Sequence, residues 1–191
     1  MKQKILLIDE GTSRTEMFTE TLNQVGFEVA GRISYEDDIL AGMKICEPDL
    51  LLIDMESPDQ YIFNQLSEIN KVNPKPIVFF AEKSEEDVIK KAVKSGVSAF
   101  IVDGLTGSRL KPVIELAIAR FDEMQSLYEK LAASEVNLEE RKTVERAKGI
   151  IMSRKKLSED EAYNSLRTLA MSQNKKLFEI AKNVIEMSEL F

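Results

Sequence analysis

Residues 49–54 read DLLLID, four aliphatic residues held between two aspartates. A run this short and this apolar is typical of a strand buried on both faces of a parallel sheet. Residues 4–9, KILLID, repeat the pattern, and PIVFFA at 76–81 is nearly as apolar. FEVAGRI at 27–33 and AFIVD at 99–103 complete a set of five predicted strands.

Helical patterns fill the gaps between these strands, at 13–25, 35–46, 59–72 and 84–95. Repeated βα units join parallel strands by right-handed crossovers. The first hundred residues therefore predict an α/β fold with a five-stranded, doubly wound parallel sheet. Ligands of such sheets bind at the carboxyl ends of the strands, where Asp9, Glu10 and Asp54 lie.

The composition excludes several kinds of chemistry. The chain has no histidine and one cysteine, Cys46, so it lacks Ser/His/Asp and Cys/His catalysis, His-ligated metals and internal disulfides. Because no nucleophile–base set is visible, we expect a protein that is not an enzyme. No apolar run reaches the length of a membrane span, and MKQKILLID has no secretory signal, so we expect a cytoplasmic protein without membrane contact.

Charge is distributed unevenly along the chain. Residues 141–191 carry 11 Lys/Arg against 7 Asp/Glu, whereas residues 1–140 carry 15 against 26. An acidic body with a basic tail is expected when only the tail meets a polyanion. Chance charge on solvated helices is the alternative.

A long helix is predicted after residue 107. Apolar residues recur at heptad spacing from Leu110, and no glycine appears again before Gly149, which predicts one helix of about 40 residues. A seam of this length favours a partner helix, most simply in a homodimer, although packing on the chain's own sheet is the alternative. The predicted dimer seam comprises Ile114, Ala117, Phe121, Met124, Tyr128 and Leu131.

Two shorter helices close the chain. Ser158 and Glu161 form an S-x-x-E capping box that opens a helix through about residue 172, and Asn174 lies in the following break. Leu177, Ile180 and Ala181 begin the stripe of a final helix. Together with the end of the long helix, these elements predict a small three-helix, all-α domain.

The first 105 residues resemble the response-regulator receiver domain, a flavodoxin-like fold. The resemblance implies that Asp54 is the phospho-accepting aspartate and that Asp9 and Glu10 hold Mg²⁺ together with it. Two signature residues are missing. Ala81 stands where receivers carry Thr or Ser, and Asp103-Gly104 replaces Lys-Pro, so Asp103 joins the acidic pocket. We therefore expect a degenerate receiver whose input is a bound protein. The alternatives are magnesium-dependent phosphorylation of Asp54 and an acid cluster retained only as solvated strand ends.

Residues 140–171 resemble the ANTAR domain, an RNA-binding output module of transcription antitermination. The matching residues are Glu145, Ala147, Lys148, Gly149, Met152, Ala162, Leu166, Arg167 and Ala170. A glycine such as Gly149 inside a helix lowers helix stability by about 1 kcal/mol relative to alanine. This loss would be accepted where RNA approaches the helix closely or where another helix packs closely against it.

The positive surface of this module is the predicted RNA-binding site. It consists of Arg141, Arg146, Lys148, Arg154, Lys155, Lys156, Arg167, Lys175 and Lys176. RNA hairpins are recognised through phosphates, shape and unstacked loop bases. Lys148 and Arg167 are ranked highest because they lie within the matched motif.

The whole chain resembles NasT-type regulators of nitrate assimilation, through IDMESP, GVSAFIVDGL and IARFDEMQSL. This resemblance implies a receiver at 1–107, a coiled-coil linker at 108–138 and an ANTAR domain at 139–191. It also implies a NasS-type nitrate/nitrite sensor protein that releases the regulator to bind leader RNA with paired hairpins. The alternatives are an ANTAR regulator switched by a histidine kinase at Asp54 and a DNA-binding response regulator.

Overall fold

A computed structural model describes residues 2–11, 14–83, 85–102 and 107–189. The chain divides into two compact units, Met1–Gln125 and Ser126–Phe191. The predicted three-part division, with a linker helix at 108–138, stays a prediction.

The first unit contains a five-stranded parallel sheet in the order β2-β1-β3-β4-β5. The strands are β1 (Lys4–Asp9), β2 (Glu28–Ser34), β3 (Leu50–Met55), β4 (Ile77–Ala81) and β5 (Ala99–Val102). The helices are α1 (Arg14–Gln24), α2 (Ile39–Cys46), α3 (Gln60–Val72), α4 (Glu86–Lys94) and the start of α5 (Gly107–Lys155). The predicted doubly wound α/β fold is confirmed.

Alternation along the strands divides the core between the two faces of the sheet. Leu6 and Ile8 of β1 face the layer of α2, α3 and α4, whereas Ile5 and Leu7 face α1 and α5. All four side chains are fully buried, because helices cover both faces. Phe79 of β4 belongs to the first cluster and stacks on Phe100, with ring centroids 5.2 Å apart.

The helix α2 begins four residues later than predicted. Residues 35–38 form a turn instead, and the Asp38 side chain caps α2 by accepting a hydrogen bond from Ala41 N at 3.1 Å. An aspartate at this position satisfies an amide that the helix leaves without a partner. Asp59 caps α3 in the same way, through Ile62 N.

The edge strand β2 contains a bulge. Ile5 pairs with Val29 and Leu6 pairs with Gly31, so Ala30 is an extra residue without a partner on β1. Gly31 also lies against α2: a Cβ there would clash with the Cys46 Sγ. Glycine is therefore the residue that lets α2 and β2 pack this closely.

The second unit is built from helices. The rest of α5 is followed by α6 (Glu159–Gln173) and α7 (Leu177–Glu189). The predicted capping box is present, with Ser158 N donating to the Glu161 carboxylate at 2.8 Å. Asn174 ends α6 in the left-handed conformation, as its place in the predicted break suggests.

Small and aliphatic side chains fill the core of this unit. The buried residues are Ala147, Ile151, Ala162, Leu166, Ala170, Ile180 and Ala181. Leu169 of α6 is apolar but exposed. Its neighbour Ala170 takes the inward position because it lies four residues after Leu166.

Candidate functional site

The acidic pocket lies at the carboxyl ends of β1 and β3. Asp9 and Asp54 are register partners on these adjacent strands and are only 2% and 3% exposed. Ala81 ends β4, where it pairs with Met55, the residue after Asp54, and it is also buried. The position at which the resemblance to receivers would place a hydroxyl therefore holds a methyl group inside the protein.

Arg32 of β2 is the ionic partner of Asp9. Its Nε donates to Asp9 Oδ2 at 2.7 Å and its Nη2 to Asp9 Oδ1 at 3.0 Å. Asp9 Oδ1 also accepts a hydrogen bond from Gly11 N. A bidentate guanidinium–carboxylate pair is among the strongest side-chain interactions, and it offsets the desolvation of Asp9. Sequence analysis missed Arg32; a cation near the end of a mostly apolar strand was the available signal.

The other acidic groups of the pocket hold loops together. Glu10 Oε2 accepts a hydrogen bond from Glu56 N at 3.1 Å, which ties the end of β1 to the loop after β3. The Tyr35 hydroxyl donates to Glu36 Oε1 at 3.3 Å. The Glu36 carboxylate is the largest cause of a raised Tyr35 pKa, and the negative charges of Glu10 and Asp59 add to it.

This arrangement does not fit a divalent cation. Both carboxylate oxygens of Asp9 are engaged by Arg32, and Glu10 is engaged by a backbone amide. Across the four described ranges, no three acidic, histidine or cysteine side chains are grouped so as to hold a metal ion. The assignment of Mg²⁺ to Asp9, Glu10 and Asp54 stays a prediction that this geometry does not support. Asp103 and Gly104 lie outside the described residues.

Eight of the nine predicted RNA-binding cations lie on the surface of the second unit. The exception is Lys148, which is 7% exposed and is corrected here to an internal ion-pair residue. Its Nζ lies 2.7 Å from Glu159 Oε1 on α6 and 2.9 Å from Glu145 Oε2 on its own helix. Hydrogen bonds to Glu145 and then Glu159 raise the Lys148 pKa, and Lys148 lowers the pKa of Glu159.

Two of the exposed cations contact the end of α7. Arg146 pairs with Glu189 at 3.1 Å, and Arg154 Nη2 donates to the Ser188 carbonyl oxygen at 2.9 Å. A cation at a helix C-terminus satisfies a carbonyl and opposes the negative end of the helix dipole. These two arginines therefore hold α7 against α5.

Six cations remain with no ion pair inside the part of the chain that the structure describes: Arg141, Lys155, Lys156, Arg167, Lys175 and Lys176. Lys155 and Lys156 lie where α5 turns into α6, and Lys175 and Lys176 lie where α6 turns into α7. Arg167 lies between them along α6. Fifteen residues of α6 separate the two lysine pairs, about 22 Å at 1.5 Å per residue.

Gly149 is exposed on α5, close in sequence to these cations. No atom outside its own neighbourhood lies within 4 Å of the Cβ that another residue would add. A packing glycine would have a helix against it, so close packing inside the unit does not explain Gly149. Its bare backbone faces outward.

The predicted dimer seam is corrected in its first half. Ile114 and Ala117 are fully buried in the first unit, together with Leu110, under the sheet face that α1 shares. Phe121 is half-buried, and Met124, Tyr128 and Leu131 are exposed. Only these exposed residues remain available to a partner helix. No helix in the described ranges is long and apolar enough to cross a membrane.

Comparisons with known proteins found similarity for both units. Residues 132–185 match the family model of the ANTAR domain. The transcriptional regulatory protein PdtaR of Mycobacterium tuberculosis is 29% identical over 97% of this chain and 90% of its own. A nitrate regulatory protein of Klebsiella oxytoca is 33% identical over 42% of this chain and 20% of its own.

The first unit also has structural relatives. A CheY-like response regulator receiver domain protein from Methanospirillum hungatei superposes with a TM-score of 0.56 and 18% identity, over 65% of this chain and 99% of that one. The first unit thus has the fold of these receiver domains, and residues 132–185 of the chain match the ANTAR domain. The relatives named here are regulatory proteins and not enzymes, as predicted.

Proposed function

We propose that this protein is an RNA-binding regulator of transcription antitermination, and that the ANTAR domain grips leader-RNA hairpins through its exposed cations. The observation that carries the proposal is a set of six surface cations that form no ion pair with any described residue, on a small helical domain that matches ANTAR. Cations that no carboxylate neutralises are free to replace the counterions of phosphates.

The positions of these cations suit a folded RNA better than a single phosphate. Lysine pairs at both ends of α6, with Arg167 between them, present positive charge over about 22 Å of helix. The exposed backbone at Gly149 would allow a sugar or phosphate to approach α5 closely. Few aromatic side chains are at hand, so phosphate contacts and arginine stacking would contribute most of the affinity.

We further propose that the regulated genes serve nitrate or nitrite assimilation, that a NasS-type sensor protein controls the receiver, and that the active form is a homodimer. The similarity to a nitrate regulatory protein supports the first part. Control by a protein is supported by Ala81 at the hydroxyl position and by the engagement of Asp9 with Arg32.

A gel-shift titration of the full chain with a paired-hairpin leader RNA tests RNA binding. The wild type should shift the RNA and leave the same sequence as duplex DNA unshifted at matched salt. Lys155→Ala/Lys156→Ala should weaken binding about tenfold and reduce the slope of log K against log salt by about one per lysine. Lys90→Ala/Lys111→Ala removes two exposed lysines from the first unit and should change neither value.

Two outcomes would contradict this proposal. Equal affinity for RNA and duplex DNA would favour a DNA-binding regulator. Equal loss in the two double variants would mean that the overall charge of the chain, and not the ANTAR surface, sets the affinity.

A further inference from the structure

The acidic pocket poses an electrostatic problem that is independent of RNA binding. Asp9 and Asp54 lie opposite each other on adjacent strands, and each is almost fully buried. Two carboxylates taken out of water beside each other repel, and each loses hydration. A folded pocket of this kind needs a cation close to the carboxylates.

Arg32 supplies that cation from within the chain. Its planar guanidinium engages both oxygens of Asp9, at 2.7 and 3.0 Å, so neither oxygen is left bare. The fork geometry matters because a point charge would hold one oxygen and leave the other open. The Arg32 side chain is 44% exposed, so it reaches the pocket from the solvent edge of the sheet.

The bulge in β2 aims Arg32 at this position. With Ala30 as the extra residue, Arg32 pairs with Leu7 and Ser34 pairs with Asp9, so Arg32 and Asp9 project from the same face. Without the bulge, continuation of the Ile5–Val29 register would place Arg32 opposite Ile8. The side chain would then leave the opposite face, because a shift of one residue inverts a strand.

We propose that Arg32 is the resident cation of the acidic pocket, and that its guanidinium occupies the place at Asp9 which a divalent ion would need. The charge of Asp9 is balanced without metal, and Mg²⁺ does not enter while the pair is intact. Removal of the guanidinium opens the Asp9 carboxylate, beside the buried Asp54, to a divalent ion. This inference concerns the first unit alone and does not depend on the RNA-binding proposal.

Electron paramagnetic resonance of Mn²⁺, a spectroscopic substitute for Mg²⁺, tests the inference on the full chain. Free Mn²⁺ gives a six-line signal in solution that collapses on binding. Wild-type protein should leave the amplitude unchanged. Arg32→Met should reduce the signal by up to one equivalent of Mn²⁺, and added Mg²⁺ should restore it by competition.

Two controls locate the effect in the pocket. Arg120→Met removes an exposed arginine from α5 and should behave as the wild type. Arg32→Met/Asp9→Asn should bind no Mn²⁺, because the uncovered carboxylate is gone. Thermal melts provide a second readout: Mg²⁺ should raise the Tm of Arg32→Met but not that of the wild type at matched ionic strength.

Saturable Mn²⁺ binding by the wild type that Mg²⁺ reverses would overturn the proposal. A folded Arg32→Met protein that ignores Mn²⁺ would overturn it equally. If Arg32→Met does not fold, Arg32→Gln keeps a hydrogen-bond donor without the charge. Arg32→Gln should bind Mn²⁺, and a folded Arg32→Gln protein that does not bind Mn²⁺ would also refute the inference.

Discussion

Lys148 shows how far a motif alone can mislead at the scale of one residue. Its place in the ANTAR motif ranks it among the best RNA contacts, yet its ammonium group is enclosed by Glu145 and Glu159. The i,i+3 spacing of Glu145 was visible in the sequence. The contact with Glu159 was not, because it depends on how α6 folds back after the turn at Lys156.

We expect Lys148→Met to destabilise the second unit and to leave RNA affinity nearly unchanged well below the melting temperature. The exposed ion pair of Lys142 with Glu139 provides the control, since Lys142→Met should change the Tm little. Circular dichroism melts and RNA titrations measure the two effects. If Lys148→Met keeps the wild-type Tm but loses RNA binding, Lys148 contacts RNA and this prediction is wrong.

The pH dependence of this ion pair follows from its pKa shifts. Lys148 lowers the Glu159 pKa, so the pair's stabilisation is present above pH 4.5 and is lost as the pH falls through the lower folded-state pKa. The Lys148 pKa is raised, so the stabilisation is also lost above pH 10.5. The acid-induced fall in Tm should therefore be smaller in Lys148→Met than in Lys142→Met.

At the scale of elements, α5 is one continuous helix, as predicted, but its apolar seam serves two purposes. Ile114 and Ala117 pack on the sheet of their own unit, whereas Met124, Tyr128 and Leu131 are exposed. Heptad spacing is the same whether an apolar stripe faces a sheet or another helix. The sequence pattern therefore predicted the helix, but it could not tell which of its turns pack on the chain's own sheet and which are left for a second helix.

The exposed half of the seam leads to a prediction about oligomeric state. Met124→Glu/Leu131→Glu should turn a dimer into a monomer in light scattering, because four charges would meet at the interface. Ser126→Glu/Ala133→Glu adds the same charge two residues further on, about 200° around the helix, and should remain dimeric. If Met124→Glu/Leu131→Glu is still a dimer, the exposed half of the seam is not the dimer interface.

At the scale of the whole molecule, the fold class was predictable and the pocket only in part. Unbroken apolar runs such as DLLLID and a complete capping box at Ser158 specify elements locally. The pairing of Asp9 with Arg32 depends on a bulge at Ala30, and one strand read alone carries no sign of which register its neighbour will adopt.

The way in which the molecule receives its signal can be tested on the intact chain. Acetyl phosphate with Mg²⁺ should leave both its mass and its RNA affinity unchanged, because Arg32 engages Asp9 and Ala81 offers no hydroxyl. A NasS-type sensor protein should abolish the RNA shift, and nitrate or nitrite should restore it. A stoichiometric phosphoryl adduct that disappears in Asp54→Asn would favour kinase control instead.

The close fit of Cys46 against Gly31 makes the chain its own reporter of local opening. Its single thiol is partly exposed and lies where the β2 backbone lacks a side chain, so lifting of α2 away from β2 should speed its reaction with a maleimide or disulfide reagent. The labelling rate of the unmodified protein therefore measures breathing at the sheet edge that carries Arg32. Comparing that rate with and without the proposed sensor protein would show whether that protein binds at this edge.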